Sequence, residues 1–120
     1  MMTEQIEIEE YYLIYNRDET SFDVKEGCDE EHDEAMRKAE NAYLKDYGYN
    51  LPVKDELREV VHALVVMDAM ETALKKRGLK PNEKEQGYLS YRSNMTNELK
   101  KHGKSNVTQQ YISKKIDYSR

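Results

Sequence analysis

At 120 residues the chain suits one domain that buries roughly two-thirds of its unfolded surface, so a core forms without metal or disulfide staples. Cys28 is the only cysteine, the acidic start MMTEQIEIEE is no signal peptide, and the longest apolar run, residues 63–67, falls far short of the roughly 20 residues that span a bilayer; a cytoplasmic protein with no membrane partner is expected. A net charge of −5 and a mean hydropathy of −1.02 hide an uneven chain: residues 1–60 carry 18 acidic and 7 basic side chains, net −11, and residues 61–120 carry 6 and 12, net +6. Such asymmetry implies one end that meets an anion or an acidic surface, or two ends that attract each other within the fold or between subunits.

In residues 5–15, QIEIEEYYLIY, Ile6 and Ile8 alternate against glutamates ahead of a Tyr, Leu and Ile cluster. This predicts a strand, with Phe22 and Val24 pairing back across the polar turn at 16–20 as a hairpin; the same run also reads as a short helix. From Asp29 the period changes. His32, Met36, Ala39, Tyr43 and Tyr47 recur at three and four residues, Asp29, Glu30 and Glu31 occupy the first turn where the helix dipole favours anions, and Gly48 is the expected stop with Pro52 beyond it. A second helix over residues 54–77 ends with Lys75, Lys76 and Arg77, then Gly78 as the left-handed terminator and Leu79 as its hydrophobic cap. A third over 82–102 starts on Asn82 as N-cap, with Pro81 before it and Glu85 as capping-box partner, and ends on Lys100, Lys101 and Gly103.

These elements predict a mainly α fold: a central antiparallel helical hairpin of residues 54–77 and 82–102, an N-terminal β-hairpin or short strand segment, and flanking helices. Residues 1–103 form one domain with an acidic, strand-like segment at 1–28, and residues 104–120 form a basic helix or tail in which Val107, Tyr111, Ile112 and Ile116 fall at helical spacing. The third helix has one narrow stripe, Tyr88, Tyr91, Met95 and Leu99. EVVHALVVMDAM, residues 59–70, lies in a helix with two: Leu57, Val61, Leu64 and Met67 on one side, Ala63, Val66, Met70 and Ala73 on another. Only one stripe can face the third helix. The other packs against the helix from Asp29 or against a second copy, and the second-copy reading makes Val61, Ala63, Val66, Met70 and Ala73 an oligomer interface.

Cys28 and His32 stand four apart beside carboxylates, but zinc usually needs four ligands, and His62 and His102 lie on other helices; an acidic helical turn explains the cluster without a metal. His62 is alone in an apolar run. No Ser, His and Asp set, P-loop or GxGxxG can be picked out, so neither an enzyme, a cofactor nor a small-molecule substrate is expected. The ten tyrosines against one Phe and no Trp suit an interface that keeps hydroxyls wet. Tyr111 and Tyr118 also sit beside basic residues, where rings can stack on bases. VTQQYISKKIDYSR has the pattern of the first part of a helix-turn-helix without its recognition helix, so Lys100, Lys101, Lys104, Lys114, Lys115 and Arg120 are read as phosphate or partner contacts that do not read sequence.

From Asp29 to Gly103 the order of features resembles the small subunit of a tailed-phage terminase: an acidic helix (DEEHDEAMRKAENAYLKDYGY), a long apolar helix (DELREVVHALVVMDAMETALKKRGL), an Asn-containing break (KPNE) and a helix ending in leucine, a charged pair and glycine (YLSYRSNMTNELKKHG). The resemblance is one of pattern. It implies a non-catalytic homo-oligomer, a ring of hairpins that binds viral DNA and passes it to a large subunit holding the ATPase and nuclease. Many members carry an N-terminal helix-turn-helix, and the acidic, strand-like residues 1–28 depart from that. Two rivals stand beside it. One is a small phage or mobile-element inhibitor of a host nucleic-acid enzyme, of the anti-restriction or anti-CRISPR type, whose carboxylates imitate DNA phosphates. The other is a transcriptional regulator that binds DNA through residues 104–120.

Overall fold

The structure, a computed structural model, describes the backbone of residues 4–119 and the side chains of residues 4–102. Its elements in chain order are β1 (Gln5–Ile8), a 3₁₀ turn (Glu9–Tyr11), β2 (Leu13–Asn16), β3 (Ser21–Val24), α1 (Asp29–Asp46), α2 (Asp55–Lys76) and α3 (Glu83–Ser119). The chain is mainly helical with an N-terminal antiparallel sheet of three strands, ordered β1, β2, β3.

Residues 5–15 are neither one strand nor a helix. The Glu9–Tyr11 turn divides them, Tyr12 takes the left-handed conformation at φ 56, and its N–H reaches the Glu9 carbonyl at 3.3 Å. The chain therefore doubles back, pairing Ile6 with Tyr15 and Ile8 with Leu13, while Tyr15 pairs onward with Phe22. Period-two alternation puts Ile6, Ile8, Leu13 and Tyr15 on one buried face and leaves Glu7 exposed. The Tyr15 and Phe22 rings stack with centroids 4.8 Å apart.

That face closes over the second half of α2, meeting Ala69, Met70, Ala73 and Leu74. The first half of α2 belongs to another cluster, in which Val61, Leu64 and Val65 pack with Met36 and Leu44 of α1 and Leu99 of α3. On α1 the fully buried line is Met36, Glu40 and Leu44; Ala39, Tyr43 and Tyr47 of the expected stripe are half-buried beside it. α3 lies against α2 through Leu99 and through Arg92, whose guanidinium bonds Asp68 and Glu71. Tyr88 and Tyr91 turn outward at 39% and 48% exposure, so the buried side of α3 runs through Glu85, Leu89, Arg92 and Leu99 rather than through the two tyrosines expected there.

Two of the three expected glycine stops form. After α1, Gly48 donates to the Lys45 carbonyl and Tyr49 to Leu44; after α2, Gly78 donates to Lys75 and Leu79 to Leu74, the paired bonds of a Schellman ending. Gly103 stops nothing, for α3 runs as one helix of 37 residues through it and through the expected domain boundary. An interior glycine costs a helix only about 1 kcal/mol relative to alanine, too little to end it unaided.

Candidate functional site

The expected interface residues are mostly core residues. Val61, Met70 and Ala73 are 0%, 2% and 0% exposed within the chain itself, covered by α1, α3 and the sheet, which corrects their assignment to a second copy. Ala63 and Val66 are half-buried, Val66 against the α1 cluster. Lys100 and Lys101 are exposed, and the Lys100 ammonium stands 5.6 Å from the centre of the Tyr47 ring. Lys104, Lys114, Lys115 and Arg120, with Tyr111 and Tyr118, lie outside the described side chains.

The acidic half presents a different surface. Among the described residues up to position 60, every Asp and Glu is exposed except Glu4, which is half-buried, and Glu40, which is buried. Glu10 of the 3₁₀ turn and Glu31 and Glu34 of α1 line one cleft of about 540 Å³ together with Tyr12, Lys38 and three alanines of α1. Two elements distant in sequence therefore contribute to one acidic face. His32 fastens them together, its Nδ1 lying 2.8 Å from the Tyr11 carbonyl, a bond that needs the proton on Nδ1. Such a face is an array of solvated carboxylates, which attracts cationic surfaces.

Four buried or half-buried carboxylates tie the elements together. Glu40 accepts bonds from Arg58 Nη1 at 3.0 Å and from His62 Nδ1 at 2.8 Å, and Arg58 Nη2 continues to Asn41 Oδ1 at 3.0 Å, tying α1 to α2. Asp68 and Glu71 share Arg92, at 2.8 and 2.9 Å, tying α2 to α3. Glu85, fully buried, ties α3 to the sheet: Tyr15 donates its hydroxyl at 2.5 Å, Arg17 donates through Nε and Nη2 at 3.1 to 3.3 Å, and the Asn82 N–H donates at 2.9 Å. Arg17 Nη2 also reaches the Lys80 carbonyl at 2.7 Å.

Their protonation differs. Burial pushes the Glu85 carboxyl up, but the bonds from Arg17, the Asn82 amide and Tyr15 outweigh it and hold the group below its ordinary value. Burial wins at Asp68, which stays above its ordinary value despite Tyr43 and Arg92. Burial and the nearby Asp68 charge push Tyr43 up to about 12. Among the described residues no three His, Cys, Asp or Glu side chains stand together as a metal site.

Sequence reasoning placed Glu85 but missed Glu40, Asp68 and Arg92. A signal existed for the first: Glu40 falls between Met36 and Leu44 at four-residue spacing, on a line too apolar for an unpaired carboxylate, and Arg58 and His62 are themselves four apart. No known family model, curated protein or solved structure matches the chain.

Proposed function

We propose that the protein is a non-catalytic phage or mobile-element protein whose acidic face occupies the basic groove of a host nucleic-acid enzyme. The observation that carries this reading is the meeting of Glu10 with Glu31 and Glu34 across one cleft, within a half-chain whose acidic side chains are nearly all exposed. Helix capping accounts for Asp29, Glu30 and Glu31 in the first turn of α1. It does not account for Asp33 and Glu34 further along, and the 3₁₀ turn that begins with Glu9 and Glu10 is too short to build a dipole that would hold them. Surplus charge of one sign on one face steers association with a basic partner and competes with nucleic acid for it.

The test is a pull-down from nuclease-treated host extract. Proteins retained by the wild type should elute with duplex DNA and should not be retained when Glu10, Glu31 and Glu34 are all replaced by lysine. Retention indifferent to both DNA and charge reversal would sink the reading.

A second reading, a homo-oligomeric DNA-packaging protein similar to the terminase small subunit, keeps support from two observations. The α2 and α3 contacts run in opposite order along the two helices, Leu89 near the end of α2 and Leu99 near its beginning, which favours the central antiparallel hairpin. Tyr88 and Tyr91 on the outer side of α3 are exposed aromatics available to a neighbour. Lys100 and Lys101, with the basic residues beyond, would then meet DNA or the large subunit. Light scattering after size exclusion separates the two: a defined multimer of many subunits favours packaging, and a monomer favours inhibition.

A further inference from the structure

Between the 3₁₀ turn, α1 and α2 lies a second, smaller cleft of about 270 Å³. Tyr11, Tyr43 and Tyr47 supply aromatic walls, Val65 an aliphatic one, and Asp46 and Asp68 two carboxylates. The Tyr43 and Tyr47 rings meet edge to face, with centroids 5.4 Å apart and planes at 73°, so together they make a corner. We propose that this cleft binds an alkylammonium headgroup, methyls or methylenes against the tyrosines and positive charge toward Asp68 and Asp46.

Chemistry selects that class. Aromatic faces carry negative quadrupole density and favour a cation within about 6 Å of the ring centre. Tyr47 already draws one, the Lys100 ammonium at 5.6 Å. Asp68 is half-buried and shares the Arg92 guanidinium with Glu71, which Lys75 also pairs at 3.5 Å, so these four charges balance and Asp46 is the carboxylate of the cleft with no ion pair among the described residues. The Asp68 field reaches all three rings, raising the hydroxyl pKa of each after the larger effect of burial. A phosphate or carboxylate ligand would face Asp46 and Asp68 with like charge. A metal ion would find two carboxylates and, among the described residues, no third His, Cys, Asp or Glu grouped with them. At about 270 Å³ the cleft is at the small end for ligand pockets, room for a headgroup and not for a large molecule.

The experiment uses a charged and a neutral molecule of one shape. Choline and 3,3-dimethyl-1-butanol differ only in nitrogen against carbon at the branched centre, and binding is followed by the tyrosine ring signals in a carbon-proton correlation spectrum. Choline should saturate, shift Tyr11, Tyr43 and Tyr47, and bind roughly five- to thirtyfold tighter than the alcohol. Tyr47→Leu should abolish most of that preference. Asp46→Asn, at an exposed position that leaves the core alone, should reduce it without unfolding the chain. A third ligand, the amide of acetylated trimethyllysine, separates sources: tighter binding than choline assigns the site to a side chain of a partner protein, weaker binding to a free amine. Equal affinity for choline and the alcohol, or choline shifts confined to other tyrosines, would overturn the proposal.

Discussion

Glu85 closes a capping box with Asn82 at the start of α3, and the same carboxylate accepts the hydroxyl of Tyr15 and the guanidinium of Arg17 from the sheet. The capping half was legible, because an Asn followed three residues on by Glu is a local signature. The sheet half was not, since Tyr15 and Arg17 lie about 70 positions away and only the folded topology brings them there. Glu85→Ala leaves both donors facing a void, so we expect a loss of about 3 kcal/mol in urea unfolding, and a loss below about 1 would mean the sheet does not depend on this tie. The pH dependence has a defined sign. A carboxyl held below its unfolded value binds fewer protons when folded, so Glu85 contributes stability above pH 4.5 that disappears as pH falls through its lower folded value. Asp68, raised above 3.8, acts oppositely, binding more protons when folded and losing stability as pH rises through that window. Acid titrations of stability should therefore flatten in Glu85→Gln and steepen in Asp68→Asn relative to the wild type.

At the level of elements, the helix endings show what a sequence states and what it leaves to packing. Gly48 and Gly78 were readable as terminators because each follows an amphipathic run and takes positive φ, 87 and 63, where a side chain strains the backbone. Gly103 follows the same outward signs of a lysine pair and a glycine, yet α3 continues, because nothing after it opposes the helix strongly enough. The sheet was half-read: β3 was placed by its alternation, but the Glu9–Tyr11 turn carries no Gly, Pro or Asn to announce that residues 5–15 reverse. Two glycines give a test with opposite signs. No atom would crowd a Cβ at Gly78 or Gly87, so packing cancels from the comparison. Gly78→Ala forces alanine into the left-handed region and should lose about 1 kcal/mol; Gly87→Ala, inside α3, should gain about 0.5–1 kcal/mol from helix propensity. Urea midpoints moving in the same direction for both would contradict these helix boundaries.

Over the whole molecule, an apolar helix in a chain of mean hydropathy −1.02 has its neighbours within reach: sheet, α1 and α3 each take one part of α2. Periodicity alone showed two apolar stripes but not their occupant, since a stripe reads the same whether its cover comes from 30 residues upstream or from another chain. The acidic face was hidden for a similar reason: the charge surplus was countable, but its concentration around one cleft depends on how the 3₁₀ turn meets α1. The two possible covers of α2 respond differently to a buried charge. If the cover is internal, Val61→Asp places an unpaired carboxylate where exposure is 0% and removes the cooperative unfolding transition at every protein concentration. Val66→Asp, at a half-buried position, should then fold, with a lower midpoint and an unchanged mass in light scattering. If the cover were a second copy, Val66→Asp would instead lower the mass without unfolding the chain. Wild-type midpoints across a roughly hundredfold range of concentration complete the test, because a folded state that is itself an assembly gains stability with concentration and a monomer does not. We expect no concentration dependence; a rising midpoint would move the contact to the outer side of α3, where Tyr88 and Tyr91 are the next residues to substitute.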